Sequence, residues 1–249
     1  MTTARLCLAY LVAIAVAELV TAFADPLPGI ILYFILLLLL IVGGAVSGGS
    51  TSHRLLLALG LAPLMRILGL AMPLEEFSEI YWYLIVAVPL LVGSFAVVMA
   101  LNLNPADIGL AGGAVRLQAL VATAGILFGL VEYFILRPEP LIDALTWQEI
   151  AVPAIILLVA TGLTEELVFR GVMQRASTEV LGSLGWVFVA AVFTLLQIGH
   201  GSVLHILFVF PIALLFGWTA RRTGSIIGVS LSHGLTNVGL FLIFPFVFG

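Results

Sequence analysis

The chain has 249 residues, of which 63% are hydrophobic and only 9% charged; every basic residue is Arg and the net charge is −4. A soluble domain of this length needs far more charged surface, so the composition excludes one and leaves a polytopic membrane protein. The single Cys7 excludes a disulfide framework and a Cys-based metal site, and with no basic tail there is no nucleic-acid signature.

Apolar runs of spanning length lie near 5–24, 28–48, 54–73, 80–102, 116–136, 150–175, 185–200, 203–220 and 224–247. They predict an all-α integral membrane bundle of eight or nine transmembrane helices. In the first run, Arg5 and the Ala22-Phe23-Ala24 step have the form of a cleaved signal peptide. Glu18 interrupts that run and another follows almost at once, so it is read as a retained helix. The third run is the weakest, holding Pro63, Arg66 and two glycines. The seventh and eighth are short and separated only by Gly201-Ser202, which predicts a tight hairpin. Tyr81, Trp82, Tyr83 and Trp147 flank helix ends and read as interfacial anchors. All connections are brief. The expected division is therefore one of role, with 1–147 as transmembrane helices without a motif and 148–249 as the part that carries chemistry.

Arginine placement sets the expected orientation. With the N-terminus in the cytoplasm, Arg5, Arg54, Arg116, Arg175, Arg221 and Arg222 fall at cytoplasmic ends and only Arg137 falls outside. The expected location is a prokaryotic cell membrane.

The last hundred residues place polar groups where hydrocarbon is expected. Thr164-Glu165-Glu166-Leu167-Val168-Phe169-Arg170 puts three charges inside an apolar run, each costing roughly 2.5–3.5 kcal/mol at mid-membrane, which makes a functional site the default reading. At about 1.5 Å per residue, Glu165 and Glu166 lie roughly 15 Å deep, Gln197 roughly 18 Å, and His233 and Asn237 roughly 14 and 20 Å. Three helices thus bring polar groups to one level. Glu166 and Arg170 form an i, i+4 pair in the favourable order, and His233 and Asn237 share a face in the same way. Phe193, Gln197 and His200 follow i, i+4, i+7. Glu165 has no such i, i+4 partner on its own helix, which suits a desolvated general base; Glu166, held by Arg170, suits a structural brace. Glu18, Arg66 and Glu132 are read as a mutually paired scaffold, and His205 as interfacial.

Glu165-Glu166-x-x-x-Arg170, then Phe193-x-x-x-Gln197, then His233-x-x-x-Asn237 resembles the EExxxR, FxxxH and HxxxN motifs of the CPBP intramembrane proteases. That family includes the type II CAAX prenyl endopeptidases and the Abi-type or bacteriocin-processing enzymes. The resemblance covers roughly 148–249. It implies an endopeptidase that cleaves a membrane-embedded or lipidated protein or peptide; from the depths above, the site is expected to open toward the cytoplasmic half of the bilayer. Carried over, Glu165 would activate water, Glu166 and Arg170 would brace the site, and His233 and Asn237 would stabilise the oxyanion. The family has been described both as zinc metalloproteases and as metal-free glutamate proteases. No cofactor is certain, and a divalent metal such as zinc stays open with Glu165, His200 and His233 as candidate ligands. This chain departs from the pattern where Gln197 replaces the second-motif His. Glutamine still hydrogen-bonds a water or carbonyl, and His200 lies one helical turn away. A catalytically impaired relative that binds membrane-embedded tails is therefore the alternative, with a transporter behind it.

Overall fold

A computed structural model describes residues 3–249, so the first two residues of the expected 1–147 unit lie outside it. The described residues form helices throughout, without a strand. They are α1 (Thr3–Phe23), α2 (Pro26–Val46), α3 (Thr51–Leu59), α4 (Leu61–Ala71), α5 (Glu79–Ala100), α6 (Val115–Leu136), α7 (Trp147–Ile156), α8 (Thr164–Glu166), α9 (Gln174–Leu181), α10 (Gly185–Leu195), α11 (Val203–Thr223), α12 (Ile227–Val238) and α13 (Phe244–Phe248). Helix is the only open structure available here, because hydrocarbon offers no partner to a free backbone N–H or C=O.

Eight stretches are long and apolar enough to cross a membrane, and the protein is an integral membrane helix bundle. One of them, Trp147–His200, has 54 residues, about 80 Å if straight, against a hydrocarbon layer of about 30 Å. It reverses at Gly182 (φ 58°), which lets the Phe169 and Phe193 rings meet with centroids 5.0 Å apart. Its two limbs are the separate sixth and seventh runs read from the sequence. Polar caps make the short connections possible: Asp25 accepts from the Leu27 N–H, Thr146 from Glu149 and Ser202 from His205. The hairpin expected at Gly201-Ser202 forms there, with Gly201 at φ 66°.

Along α1, Cys7, Tyr10, Ile14 and Ala17 are buried while Leu8, Val12, Val16 and Leu19 are exposed. The stripe is inverted relative to a soluble helix in one respect only: its outer face is apolar, as lipid requires. One core cluster runs from Tyr10 and Tyr33 through Phe169 and Val189 to Val229, so helices from both halves of the chain share an interior, and a second gathers Ile80, Ile156 and Leu242. The two ends of the bundle differ sharply in charge. Arg54 meets Glu179 at 3.4 Å, the Gly113 backbone abuts the Thr223 carbonyl, and the Tyr10 and Phe188 rings pack at 6.2 Å. Together these bring the start of α1, α3 and α6 to one end with the ends of α9 and α11. The opposite end gathers the α4–α5 and α6–α7 connections, which hold Glu75, Glu76, Glu79, Glu139 and Asp143.

α12 is wedged between α6 and the glutamate-bearing segment. The wedge depends on missing side chains. A Cβ on Gly129 would fall 2.5 Å from the Thr236 carbonyl oxygen, and one on Gly162 would fall 2.5 Å from that of Ser230. Backbone-to-backbone approach of this kind is how small residues hold helices together without a hydrophobic drive between them.

Candidate active site

Glu165 and Glu166 sit on a single α turn between two wider π segments, Leu157–Leu163 and Leu167–Met173. π turns leave carbonyls without their usual i+4 donor, and they gather at functional positions. Here threonines help take up the slack. Thr164 Oγ1 donates to the Val159 carbonyl five residues back at 2.9 Å, and Thr161 Oγ1 donates to Leu157. Adjacent side chains on an α turn point about 100° apart, so the two carboxylates face different surroundings.

Glu166 faces inward and is sealed. Its Oε1 accepts from Arg170 Nη1 at 2.8 Å and from His233 Nδ1 at 2.9 Å. Neither carboxylate nor guanidinium reaches solvent, with side-chain exposures of 0% and 1%. The guanidinium also lies 4.6 Å from the Phe193 ring centre and 5.7 Å from that of Phe216, a cation–π setting that favours planar Arg over Lys. A carboxylate has no proton to give, so the bond to His233 is donated by Nδ1–H, and this assigns the tautomer. Nε2 is left to face the cavity.

Glu165 faces that cavity. It is a quarter exposed, accepts no hydrogen bond among the described residues, and stands 4.0 Å from His233 Nε2. The gap is too long for a hydrogen bond. Asn237, one turn beyond His233, donates Nδ2–H to Thr161 Oγ1 at 2.8 Å. That leaves its second N–H and its carbonyl oxygen without a partner among the described residues. Sequence reasoning passed over Thr161, although a hydroxyl four residues before Glu165 on an apolar helix was the available signal.

Gln197 and His200 do not share an α-helical face. α10 ends at Leu195, and Ile198–His200 forms a tight 3-10 turn closed by Gly201, because glycines at 199 and 201 loosen the chain there. Both residues nevertheless line the same space as Glu165. His200 is exposed and stacks edge-on against His205 with ring centroids 4.7 Å apart.

Two chambers meet at Glu165. The first, about 190 Å³, is walled by α6, α11 and α12 and contains Thr161, Phe193, His233 and Asn237. The second, about 400 Å³, lies between α4, α5 and the Gln197–His200 turn. Tyr83, Thr161, Glu165, Gln197 and His200 line both. A third space of about 370 Å³ lies at the other end of the bundle, around Gln174, Arg175 and Arg221. Arg170 borders both it and the first chamber.

The scaffold residues pair differently from expectation. Glu18 and Arg66 do join, with Arg66 Nη2 donating to Glu18 at 2.9 Å and Tyr33 completing the carboxylate's shell. Glu132 instead meets His205 Nε2 at 2.8 Å, on the wall of the first chamber. His205 is 1% exposed, so it is a buried partner and not an interfacial residue. A three-ligand zinc site is a poor fit. Glu165, His200 and His233 do not converge, and no group of three His, Cys, Asp or Glu side chains among the described residues stands ready to hold an ion. Glu166, the acid nearest His233, is already committed to Arg170.

Residues 147–239 match the family described as Type II CAAX prenyl endopeptidase Rce1-like. Neither a curated protein nor a solved structure matches the chain.

Proposed function

With residues 147–239 carrying an Rce1-like domain of the type II CAAX prenyl endopeptidases, we propose that the protein hydrolyses a peptide bond of a membrane-associated polypeptide, with Glu165 as general base. The observation that carries this reading is the split between two neighbouring carboxylates. Glu166 is locked by Arg170 and His233, while Glu165 looks into a cavity with no partner of its own.

In the proposed reaction the substrate lies across Glu165 with its chain continuing into both chambers. Glu165 takes a proton from a water between itself and the scissile carbonyl, and the oxygen of that water bonds to the carbonyl carbon. Negative charge then moves onto the carbonyl oxygen. Donors aimed at that oxygen are worth about 3–4 kcal/mol each when already in place, and the available ones are the free N–H of Asn237, the Gln197 amide and His233 when Nε2 carries a proton. The C–N bond breaks as Glu165 returns its proton to the departing nitrogen. The Glu166–Arg170 pair does not react. It fixes the imidazole tautomer, as an orienting carboxylate does for a catalytic histidine.

The test compares protein termini in cells carrying the wild-type protein or Glu165→Gln, which keeps the shape and removes the base. Loss of a general base lowers rates about 10²–10⁴-fold, so termini dependent on the wild type are expected to vanish in the variant. Equal termini at equal expression refute the mechanism. Gln197 favours a second reading, in which a weakly active relative binds membrane-embedded tails. A large gain of cleavage in Gln197→His supports that reading, and a loss supports a site rebuilt around glutamine.

A further inference from the structure

We propose that the two chambers at Glu165 open on the Arg-poor face of the membrane, so that the substrate is a membrane-anchored polypeptide cleaved from the extracytoplasmic side. The substrate half of this statement rests on the protease reading; the sidedness does not. Both follow from where the chambers end. The second chamber passes from Glu165 between Arg66 and Leu90 to Leu74, Trp82 and the exposed Glu79, at the start of α5. The first runs from Arg170 and Phe216 to Glu132, Leu136 and His200, at the end of α6 and the α10–α11 turn. These mouths share one end of the bundle.

That end carries one arginine, Arg137, and seven acids: Asp25, Glu75, Glu76, Glu79, Glu139, Asp143 and Glu149. The other end carries six arginines: Arg5, Arg54, Arg116, Arg175, Arg221 and Arg222. Short loops rich in Arg stay in the cytoplasm, and acids contribute little to that choice. The arginine end is therefore cytoplasmic. Toward it the first chamber stops at the Glu166–Arg170 pair and the rings of Phe193 and Phe216. The cytoplasmic space around Gln174, Arg175 and Arg221 reaches only the far side of Arg170. Depth along single helices suggested a site open to the cytoplasmic half, and the packing of those helices reverses that expectation.

Single cysteines test the sidedness in intact cells. The background is Cys7→Ser, since Cys7 is buried at 4% exposure. Glu79→Cys, on the lining of the second chamber, and Phe77→Cys, at an exposed position two residues before it, report the end where the chambers open. Ala106→Cys and Gly112→Cys report the arginine end, both positions being exposed and a Cβ at 112 meeting nothing within 4 Å. A charged, membrane-impermeant maleimide is expected to modify the first pair in intact cells and the second pair only after permeabilisation. Modification of Ala106→Cys or Gly112→Cys in intact cells overturns the proposal, as does protection of Phe77→Cys and Glu79→Cys until the membrane is opened. Labelling reads no proteolysis, so it stands whether or not Glu165→Gln changes any terminus. Where termini do change, they are expected on the extracytoplasmic side of the substrate's anchor; cytoplasmic termini overturn the substrate half alone.

Discussion

Gly162→Ala tests the wedge of α12 against the glutamate segment. The added Cβ would lie 2.5 Å from the Ser230 carbonyl oxygen, 2.9 Å from the Gly234 nitrogen and 3.0 Å from its Cα. Ordinary contact begins at 3.4 Å, so the shortfall is about 0.9 Å, and every obstructing atom is backbone. No side chain can swing aside. Relief requires α12 to move off as a body, and α12 carries His233 beside Gly234. A shift of that size would stretch the 2.9 Å bond from His233 Nδ1 to Glu166 beyond hydrogen-bonding range. Overpacking of this sort costs about 1–3 kcal/mol, and a misplacement of about 1 Å in a catalytic group costs about 10²-fold in rate. The assay pairs thermal unfolding in detergent with cleavage of a substrate identified from the wild-type termini. Expected are a lowered midpoint and about a 100-fold loss of kcat. Wild-type values for both would refute the packing argument, and loss of stability without loss of rate would refute its link to His233.

Arg170→Met leaves Glu166 charged and buried, which costs about 3–5 kcal/mol; adding Glu166→Gln is expected to restore thermal stability but not cleavage, because the bond that orients His233 is weakened. Arg66→Met strands the fully buried Glu18 in the same way and is expected to lower the unfolding midpoint by an amount that Glu18→Gln recovers. Gln197→Ala is expected to lower kcat about 10²–10³-fold if the amide donates to the oxyanion, with little change in stability; an unchanged rate removes Gln197 from the mechanism. His205→Leu leaves Glu132 without its partner at the chamber wall, a loss expected at about 1–3 kcal/mol and checked by the same melting curve.

The spanning segments were legible because hydropathy and length are local properties of the chain. The i, i+4 spacings of Glu166 with Arg170 and of His233 with Asn237 were equally legible, since both pairs lie in continuous helix. What one-dimensional spacing did not carry was the break of α10 after Leu195, which takes Gln197 and His200 off the α-helix and into a tight turn closed by Gly201. It also did not carry the choice of partner for Glu132. Depth along α6 placed that residue level with Arg66, but lateral packing put it beside His205 on α11. The direction in which the cavities open is likewise a property of how helices splay, and no single helix encodes it. Thr161 shows the same limit on a smaller scale, since its partner Asn237 lies 76 residues away.

The position of Arg170 has a consequence for the membrane itself. The proposed hydrolysis requires water in the first chamber, and the space at the arginine end holds charged side chains as well. Two recesses approach each other from opposite ends of the bundle, and between the first chamber and the arginine-end space stands one guanidinium pressed against Phe193 and Phe216. A positive charge fixed there would repel cations from the crossing, and the two rings would interrupt a continuous file of water. If the proposed hydrolysis takes place here, the residue that braces the glutamate is also the partition between the two recesses.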